Sequence, residues 1–179
     1  MINGSGDQTD NGTVEKYCYS DNTANCDTYG GLYQWDEAMG YSTSGGGVQG
    51  LCPEGWHLPT DAEWKILEGT VDTQYPVGDT VWDNTSWRGC DAGTHMKSTS
   101  GWEGNGIGDN SSGFTALPGG NRDDLNGSFS NAGYYGSWWS ASEFSSYSAW
   151  YRTLYYNRAD VFRYYSTKSS GFSVRFLRD

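Results

Sequence analysis

Four cysteines and two histidines are the side chains of this sequence best suited to redox, metal or nucleophilic chemistry. They are Cys18, Cys26, Cys52, Cys90, His57 and His95. No two cysteines form a C-x-x-C pair, which is the spacing typical of zinc sites and thioredoxin-type centres. Neither histidine belongs to a motif that defines a nucleophile with its base or an acid–base pair. We expect both histidines to be loop or packing residues and the protein not to be an enzyme.

An even number of cysteines favours disulfide bonds. Cys18 and Cys26 flank a short polar loop that a bridge could close, which would leave Cys52 to pair with Cys90. Four cysteines allow three pairings, and the sequence does not choose among them; four free thiols are the alternative. Because disulfides persist in oxidising compartments, we expect the protein to be extracellular or on the cell surface.

Two acidic loops could hold a metal ion. Asp109, Asn110, Asp123 and Asp124 offer the hard oxygen ligands that calcium prefers. The loops lack EF-hand spacing and the Glu-Pro-Asn or Gln-Pro-Asp motifs of sugar-binding lectins. We expect no cofactor, with structural calcium as the alternative.

The segment 138–179 combines a regular framework with slots of a different composition. The framework reads WWSASE, AW, R, L, A-x-V-x-R, K and GFSVRFLRD, and the slots between hold mainly Tyr, Phe, Ser, Thr, Asn, Arg and Asp. Tyr gives a large, stiff contact area and Ser an adaptable hydrogen bond, as in antibody-type binding surfaces. The predicted ligand-binding residues are Phe144, Ser145, Tyr147, Tyr151, Thr153, Tyr155, Tyr156, Asn157, Arg158, Asp160, Phe162, Tyr164, Tyr165, Thr167 and Ser169.

Three segments in this region, AWYRTLYY, ADVFRYY and SGFSVRFLRD, each predict one strand of an antiparallel sheet. In the first two, period-2 alternation separates a framework face from the binding face. The framework face is predicted to hold Trp150, Arg152, Leu154, Ala159, Val161 and Arg163. In the third, Phe172, Val174 and Phe176 predict a buried face. Adjacent tyrosines cannot both point inward, so at least half of the aromatic slot residues should be exposed.

Upstream, residues 1–14 are rich in Gly, Asn, Asp and Thr and predict a flexible leader before a single domain at 15–179. Thr60 and Glu63 form a capping box that predicts a helix over about 60–69, with Trp64 and Leu67 on its buried face. A shorter helix is predicted in GGLYQWDEAMG, ended by Gly40 and followed by a flexible loop at 40–50. Long structured loops should fill 71–136, with short strands only around Met96 and 114–117.

Composition agrees with one loop-rich domain of α+β class. The chain has 179 residues, 35% hydrophobic, with 26 Gly and 9 Trp, so large aromatics must supply the core. The net charge of −11 disfavours nucleic acid and anionic lipid as partners. No apolar run is long enough to span a bilayer, so we expect no direct membrane insertion.

Five ordered motifs carry a family resemblance: GGLYQWDEAM, CPEGWHLPTDAEW, GFTALPGGNRD, GYYGSWWSASE and GFSVRFLRD. Over about Tyr17 to Asp179 the chain resembles the Fibrobacter-type major paralogous domain, a branch of the formylglycine-generating-enzyme-like C-type lectin fold. The resemblance implies two helices beside small antiparallel sheets, with long structured loops and a final strand near the N-terminal one. Relatives commonly end in VRCVRD, whereas this chain has Phe176 at the Cys position, which leaves Cys90 as the available partner of Cys52.

The same fold carries the variable proteins of diversity-generating retroelements, whose codons are mutated at template adenines. An Asn codon in such a template can become Phe, Ser, Tyr, Thr, Asp or Arg, but never Trp, Lys, Glu, Gln or Met. Every predicted binding residue is of the permitted kind, whereas Glu143, Trp150 and Lys168 occupy framework positions. The resemblance therefore implies a non-catalytic domain with a variable, Tyr- and Ser-rich binding surface.

Two alternatives stand beside this function. A static cell-surface adhesin or carbohydrate-binding module would stack Trp102, Trp138 and Trp139 on sugar rings, although those tryptophans also suit a core. The enzyme branch of the fold uses a cysteine pair near its C-terminus, and no cysteine follows Cys90 here. We expect the partner to be a protein or another macromolecule, with a glycan as an option, and not nucleic acid.

Overall fold

The computed structural model describes residues 1–42 and 49–179. In this range the chain forms a mixed α/β structure with few helices and open sheets. The helices are α1 (Thr23–Tyr29), α2 (Trp35–Ala38), α3 (Asp61–Val71) and α4 (Ala92–Met96), with 3-10 turns at Tyr19–Asp21 and Thr80–Asp83. The strands are β1 (Trp56–His57), β2 (Ser86–Arg88), β3 (Gly119–Arg122), β4 (Phe129–Ala132), β5 (Tyr135–Ser145), β6 (Ser148–Tyr155), β7 (Val161–Thr167) and β8 (Leu177–Arg178).

A six-stranded sheet forms the centre of the molecule. Its order is β2-β7-β6-β5-β3-β4, and all neighbours are antiparallel except β3 and β5. A second sheet contains only β1 and β8. The strands predicted in AWYRTLYY and ADVFRYY are confirmed as β6 and β7, which lie side by side within the large sheet.

Adjacent tryptophans in β5 divide the core between the two faces of this sheet. Trp138 packs with Trp64, Leu154 and Val161 in one cluster, whereas Trp139 packs with other side chains in a second cluster. The opposite orientation follows from the alternation of side chains along a strand. Both rings are fully buried, at 2% and 0% exposure, and are therefore core residues rather than sugar-stacking ones.

Helix α3 begins as the capping box predicts. The Thr60 hydroxyl accepts from the Glu63 amide at 3.3 Å, and the Glu63 carboxylate accepts from the Thr60 amide at 2.8 Å. Trp64 is buried and Leu67 half-buried. The helix also buries Glu68 completely, which an amphipathic pattern does not predict, since a buried carboxylate requires a charged or hydrogen-bonded partner.

The partners of Glu68 are arginines from the central sheet. Arg152 Nε lies 2.5 Å from Glu68 Oε1, and Arg88 pairs with Oε2 of the same carboxylate. Two turns earlier in α3, Asp61 accepts from Arg163 at 2.7 and 2.8 Å. Burial opposes ionisation of Asp61, but the hydrogen bonds and charges of Arg163 and Arg152 outweigh it and lower its pKa. This buried network ties α3 to β2, β6 and β7.

Helix α4 occupies the place where a strand was predicted around Met96. The Asp72 carboxylate accepts from the amides of Cys90, Asp91 and Ala92 at 2.8, 3.1 and 3.2 Å. These bonds satisfy donors that the start of a helix leaves free. Near 114–117, the predicted strand is reduced to a single bridge at Ala116, and β1 to β5 were not predicted.

The C-terminal segment is also not the continuous strand that was predicted. Residues 171–173 bridge singly to Arg122, Tyr33 and Trp138 in three different segments, and only Leu177–Arg178 forms a strand. Because the tail then leaves the core, Phe176 is 37% exposed. Of the expected buried face, Phe172 is buried and Val174 packs half-buried against the same core cluster, whereas Phe176 is not part of it.

At the N-terminus, residues 1–14 contact the rest of the chain. The amides of Gln8 and Gln34 donate to each other's side-chain oxygens at 2.8 and 2.6 Å, and Arg122 Nε donates to the Gly4 carbonyl at 2.7 Å. The helix in GGLYQWDEAMG is limited to Trp35–Ala38, and Gly40 follows with a positive φ of 59°. The predicted loop at 40–50 lies largely outside the described residues.

A disulfide joins Cys18 and Cys26, eight residues apart. The pairing of Cys52 with Cys90 is wrong, because Cys52 is a buried free thiol and Cys90 an exposed one. None of the helices in the described chain is long and apolar enough to cross a membrane.

Candidate ligand-binding surface

Strands β6 and β7 carry most of the predicted framework and binding residues on opposite faces, but Tyr165 pairs directly with Trp150 and lies on the framework face. On the framework side, Arg152, Leu154, Val161 and Arg163 are buried, and they contact α3 or the core beneath it. Ala159 departs from the prediction, since it is exposed in the turn before β7. The other face of the two strands is open and carries an aromatic cleft.

This cleft has a volume of about 310 Å³. Its lining residues are Trp87, Asn121, Tyr135, Ser137, Tyr151, Thr153, Phe162 and Phe172. Only Tyr151, Thr153 and Phe162 were predicted to bind ligand. The other five come from β2, β3, β5 and the tail, which the fold brings beside β6 and β7 but which the slot pattern does not include. For Trp87, Tyr135 and Phe172, aromatic character was the one signal available in the sequence, and Asn121 and Ser137 carried none.

Ring contacts connect the walls of the cleft. The Phe162 ring lies 5.1 Å from Trp87 and 6.2 Å from Tyr151 between centroids, and Tyr151 lies 4.8 Å from Phe172. At one end, Tyr155 stacks on Tyr135 at 4.3 Å. Tilted and offset contacts of this kind hold aromatic side chains in fixed positions. The cleft is therefore largely formed before any ligand arrives.

Polar groups at the cleft are neutral. The hydroxyls of Ser137 and Thr153 share a hydrogen bond of 2.7 Å, and both residues are buried. Asn121 adds a carboxamide whose oxygen accepts from Asn131 at 2.9 Å. Burial raises the pKa of Tyr151 to about 12, so its phenol stays neutral at physiological pH. No Asp, Glu, Lys, Arg or His lines the cleft, and a charged group entering it would lose hydration without gaining a partner.

A second group of predicted residues forms an aromatic rim beside β6. Phe144 stacks on Tyr165 at 3.7 Å with 2° between the rings, and Tyr165 stacks on Tyr164 at 4.5 Å. Tyr147 is 80% exposed at the β5–β6 hairpin, and the Ser145 hydroxyl lies 2.7 Å from that of Ser148 beside it.

The turn between β6 and β7 carries a third group. Arg158 binds Asp160 through two hydrogen bonds of 2.8 Å, and its guanidinium lies 4.4 Å from the Trp87 ring centroid. Tyr156 contacts Tyr134 at 5.4 Å between ring centroids, and Asn157 is exposed. The turn therefore continues the aromatic surface beyond the end of the cleft.

Two predicted residues lie at the far end of β7. Thr167 donates to the Asp124 carboxylate at 2.6 Å, and Ser169 is exposed in the following loop. Neither lines the cleft.

Exposure of the aromatic slot residues is lower than predicted. Of the eight Tyr and Phe side chains in the slots, only Phe144, Tyr147 and Tyr164 are exposed, and the other five are half-buried. The cause is mutual stacking, together with contacts to Trp87 and Trp150. Each ring therefore offers one face or edge rather than a whole side chain.

Main-chain contacts hold the β6–β7 turn from below. Lys97, which is 3% exposed, donates through Nζ to the carbonyls of Tyr155, Tyr156 and Arg158 at 3.3, 3.1 and 2.9 Å. At Gly93, a Cβ would lie 2.5 Å from the Asp160 carbonyl. These contacts use backbone atoms, so they do not depend on which side chains the turn carries.

The loop after β7 is held in the same way. The Trp35 amide donates to the Lys168 carbonyl at 2.9 Å, and the side chains of Arg122 and Gln34 donate to the Ser169 carbonyl at 3.0 and 3.1 Å. Both ends of β7 are therefore fixed by main-chain contacts that do not depend on the slot side chains at those ends.

The two histidines are occupied by carboxylates. His57 lies 2.6 Å from Asp179 through Nδ1 and 2.9 Å from Glu63 through Nε2, and the hydrogen bond with Asp179 is the largest factor raising its pKa. His95 Nδ1 lies 2.8 Å from Asp109. The Ser111 hydroxyl also lies 2.9 Å from His95 Nδ1 and donates to Asp109 at 2.9 Å, so His95, Asp109 and Ser111 form one polar cluster at the end of α4.

The acidic residues considered as calcium ligands form hydrogen bonds and ion pairs in separate parts of the structure. Asp109 pairs with His95, Asp123 accepts from the amides of Leu125 and Asn126 in its own turn, and Asp124 binds Thr167. Across residues 1–42 and 49–179, no three His, Cys, Asp or Glu side chains are grouped so as to hold a metal ion.

Fold and surface together define a small mixed α/β domain with an uncharged aromatic cleft on one face of its central sheet. A comparison with models of protein families identifies the family of this domain. The model of the Fibrobacter succinogenes major domain matches residues 2–178, and the chain belongs to this family. No curated protein and no solved structure matches the chain.

Proposed function

We propose that this domain is a non-catalytic ligand-binding module with a C-type lectin-like fold, of the type that diversity-generating retroelements use as variable proteins. Its binding surface comprises the aromatic cleft, the rim and the β6–β7 turn. The observation that carries the proposal is that main-chain atoms hold both ends of β7 in place, while Phe162 and Tyr164 of this strand lie on the open aromatic face.

A segment held by its backbone can change side chains without losing its fold. Two features support assignment to the retroelement type. The turn at 155–160 is bound through three carbonyls by Lys97, and a glycine provides the close approach beneath it. The slot residues are also all accessible by adenine mutation of Asn codons, whereas Trp150, which lies against Arg163 at 3.6 Å, is not.

The ligand class follows from the chemistry of the cleft. Aromatic walls and two hydroxyls accept an uncharged group with an apolar body and one polar tip, such as a Tyr, Trp or Met side chain of a protein ligand. The exposed Tyr147 and Tyr164 would add contacts around this anchor. The net charge of −11 gives nucleic acid no complementary surface. The disulfide between Cys18 and Cys26 supports an extracellular or cell-surface location.

The first experiment is to read the DNA that flanks the gene. A near-copy of the stretch encoding residues 138–179 should lie close by and differ only where the copy has adenine. Codons for the framework residues Trp150, Arg152 and Arg163 should be identical in both, which provides an internal control. Absence of a copy, or differences scattered over framework codons, contradicts the retroelement assignment.

A fixed carbohydrate-binding module is the second candidate, because neutral aromatic walls with hydroxyl and amide groups also suit sugar rings. Trp138 and Trp139 cannot serve this purpose because they are buried, and neither can Trp102, at 5% exposure. Trp87 and Tyr135 would stack on the sugar instead. A glycan array compares the native domain with Trp87→Ala. Binding that the substitution abolishes favours this candidate, and absence of any glycan signal favours a protein ligand.

A further inference from the structure

A second cavity lies on the framework side of the central sheet. Its volume is about 320 Å³. Trp64 and Leu67 of α3 form one wall, Phe114 another, and Phe176 and Leu177 of the C-terminal tail a third. None of the predicted binding residues lines it. The cavity is thus separate from the aromatic cleft, and its volume is in the range of small-molecule sites.

Arg175 brings a positive charge to this apolar cavity. Its guanidinium lies 5.2 Å from the Phe114 ring centroid, and Nη2 donates to the Thr115 carbonyl at 2.9 Å. Its buried Nε has no hydrogen-bond partner. Within the described chain no carboxylate pairs with Arg175. Burial of an unpaired cation is costly, and it lowers the pKa of this arginine.

The cavity also has a second donor without a partner. Trp64 is 1% exposed, and its Nε1 has no acceptor in the described chain. The one carboxylate in the lining does not compensate either donor. Glu63 Oε1 is engaged by His57 at 2.9 Å, and Oε2 accepts from the Thr60 amide and hydroxyl at 2.8 Å each. The lining therefore contains a cation without a carboxylate partner, and the one carboxylate beside it is already engaged.

From this arrangement we propose that the cavity binds a carboxylate attached to an apolar or aromatic body. The carboxylate pairs with Arg175, and the body packs against Phe114, Leu67 and Phe176. Such a group can be a free organic acid or the C-terminal residue of a peptide, since both present two acceptor oxygens beside an apolar group. Guanidinium binds carboxylate through geometrically matched hydrogen bonds.

Calorimetric titration of the whole domain with phenylacetate tests the proposal. Phenylacetamide keeps the ring and removes the charge, so it should bind at least about tenfold more weakly, as loss of a charge-assisted hydrogen bond requires. The variant Arg175→Met keeps the aliphatic stem and should lose the preference for the acid. Arg178→Met removes an exposed charge three residues on and should bind phenylacetate as the native domain does.

An NMR measurement on the native domain covers the case in which Arg175→Met does not fold. Phenylacetate should shift the resonance of the Trp64 indole N–H, which is assigned by its absence from the spectrum of Trp64→Phe. It should also shift the Nε–H resonance of Arg175. To separate the two ligand sources, a tripeptide Gly-Gly-Phe with a free C-terminus is compared with its C-terminal amide. Equal binding of acid and amide in both series, or equal loss in Arg175→Met and Arg178→Met, overturns the proposal.

Discussion

Replacing Lys97 with Met should destabilise the domain while leaving its central sheet intact. Lys97 is buried and donates to three carbonyls of the β6–β7 turn. Met has a similar length and is apolar, so it removes the three hydrogen bonds with little change in volume. The turn should then detach from the scaffold below it.

The size of the effect follows from two opposing contributions. A hydrogen bond from a charged donor contributes about 1.5–3 kcal/mol, so three bonds contribute at least about 4.5 kcal/mol. Burial of the ammonium group opposes this, since it lowers the pKa of Lys97 from 10.5 to about 8, which corresponds to about 3 kcal/mol. The free energy of unfolding should therefore fall by about 2 kcal/mol, or about 6 °C in Tm for a chain of this size.

Urea unfolding at pH 7, followed by tryptophan fluorescence, measures the change. Asn157→Ala is the matched control, because it removes an exposed side chain from the same turn and should alter stability by no more than about 0.5 kcal/mol. The reasoning is refuted if Lys97→Met is as stable as the native domain, or if Asn157→Ala costs as much as Lys97→Met. Either result would mean that main-chain contacts do not hold the turn.

The pH dependence gives an independent test of the same residue. The folded pKa of about 8 lies below the unfolded value of 10.5, so the unfolded state binds more protons between these values. Lys97 alone should therefore make the native domain more stable as pH rises through this window. The Lys97→Met variant lacks this contribution, and the difference in stability between the two proteins should widen with pH. Parallel curves would contradict the lowered pKa.

Three further predictions concern the stability of the domain and involve residues outside the candidate binding surface. Glu68→Gln should cost about 3–5 kcal/mol in urea unfolding, because it leaves the buried Arg88 without its counter-charge and leaves Arg152 with Asp61 alone. Reduction of the Cys18–Cys26 bridge should cost about 2–3 kcal/mol, measured as the difference in unfolding free energy with and without a reductant. His57 has a folded pKa raised by Asp179, so its stabilising contribution is complete below the unfolded pKa and is lost as pH rises through the folded one; Asp179→Asn should flatten that part of the stability curve.

Local signals in the sequence predict the parts of the fold that depend on neighbouring residues. The capping box of α3 lies within four residues and is formed as predicted. By contrast, Asp72 satisfies the start of α4 from 18 to 20 residues away, and Glu68 pairs with Arg152 across 84 residues. No periodicity encodes such partners, so α4 was predicted as a strand, and the buried carboxylate of α3 was missed.

The residues of the candidate surface also differ in whether local sequence patterns could predict them. Alternation in β6 and β7 assigned Tyr151, Thr153 and Phe162 to the open face, where they line the cleft. Trp87 and Tyr135 could not be assigned to it from the sequence, because they reach the cleft only through the pairing of β2 with β7 and β5 with β6. A site built across strands needs the sheet order, which a single sequence does not contain.

The origin of these walls constrains what a variable surface of this shape can recognise. If the slots vary, Tyr151, Thr153 and Phe162 change between copies, while Trp87 and Tyr135 remain. Three slots can then alter the depth and polarity of the cleft, but two fixed aromatic walls keep it suited to an uncharged group. Selectivity among ligands would then come mainly from the rim and turn, where Tyr147, Asn157 and Arg158 are exposed. Under that condition, a fixed apolar anchor with variable surroundings would retain part of the binding energy from one variant to the next.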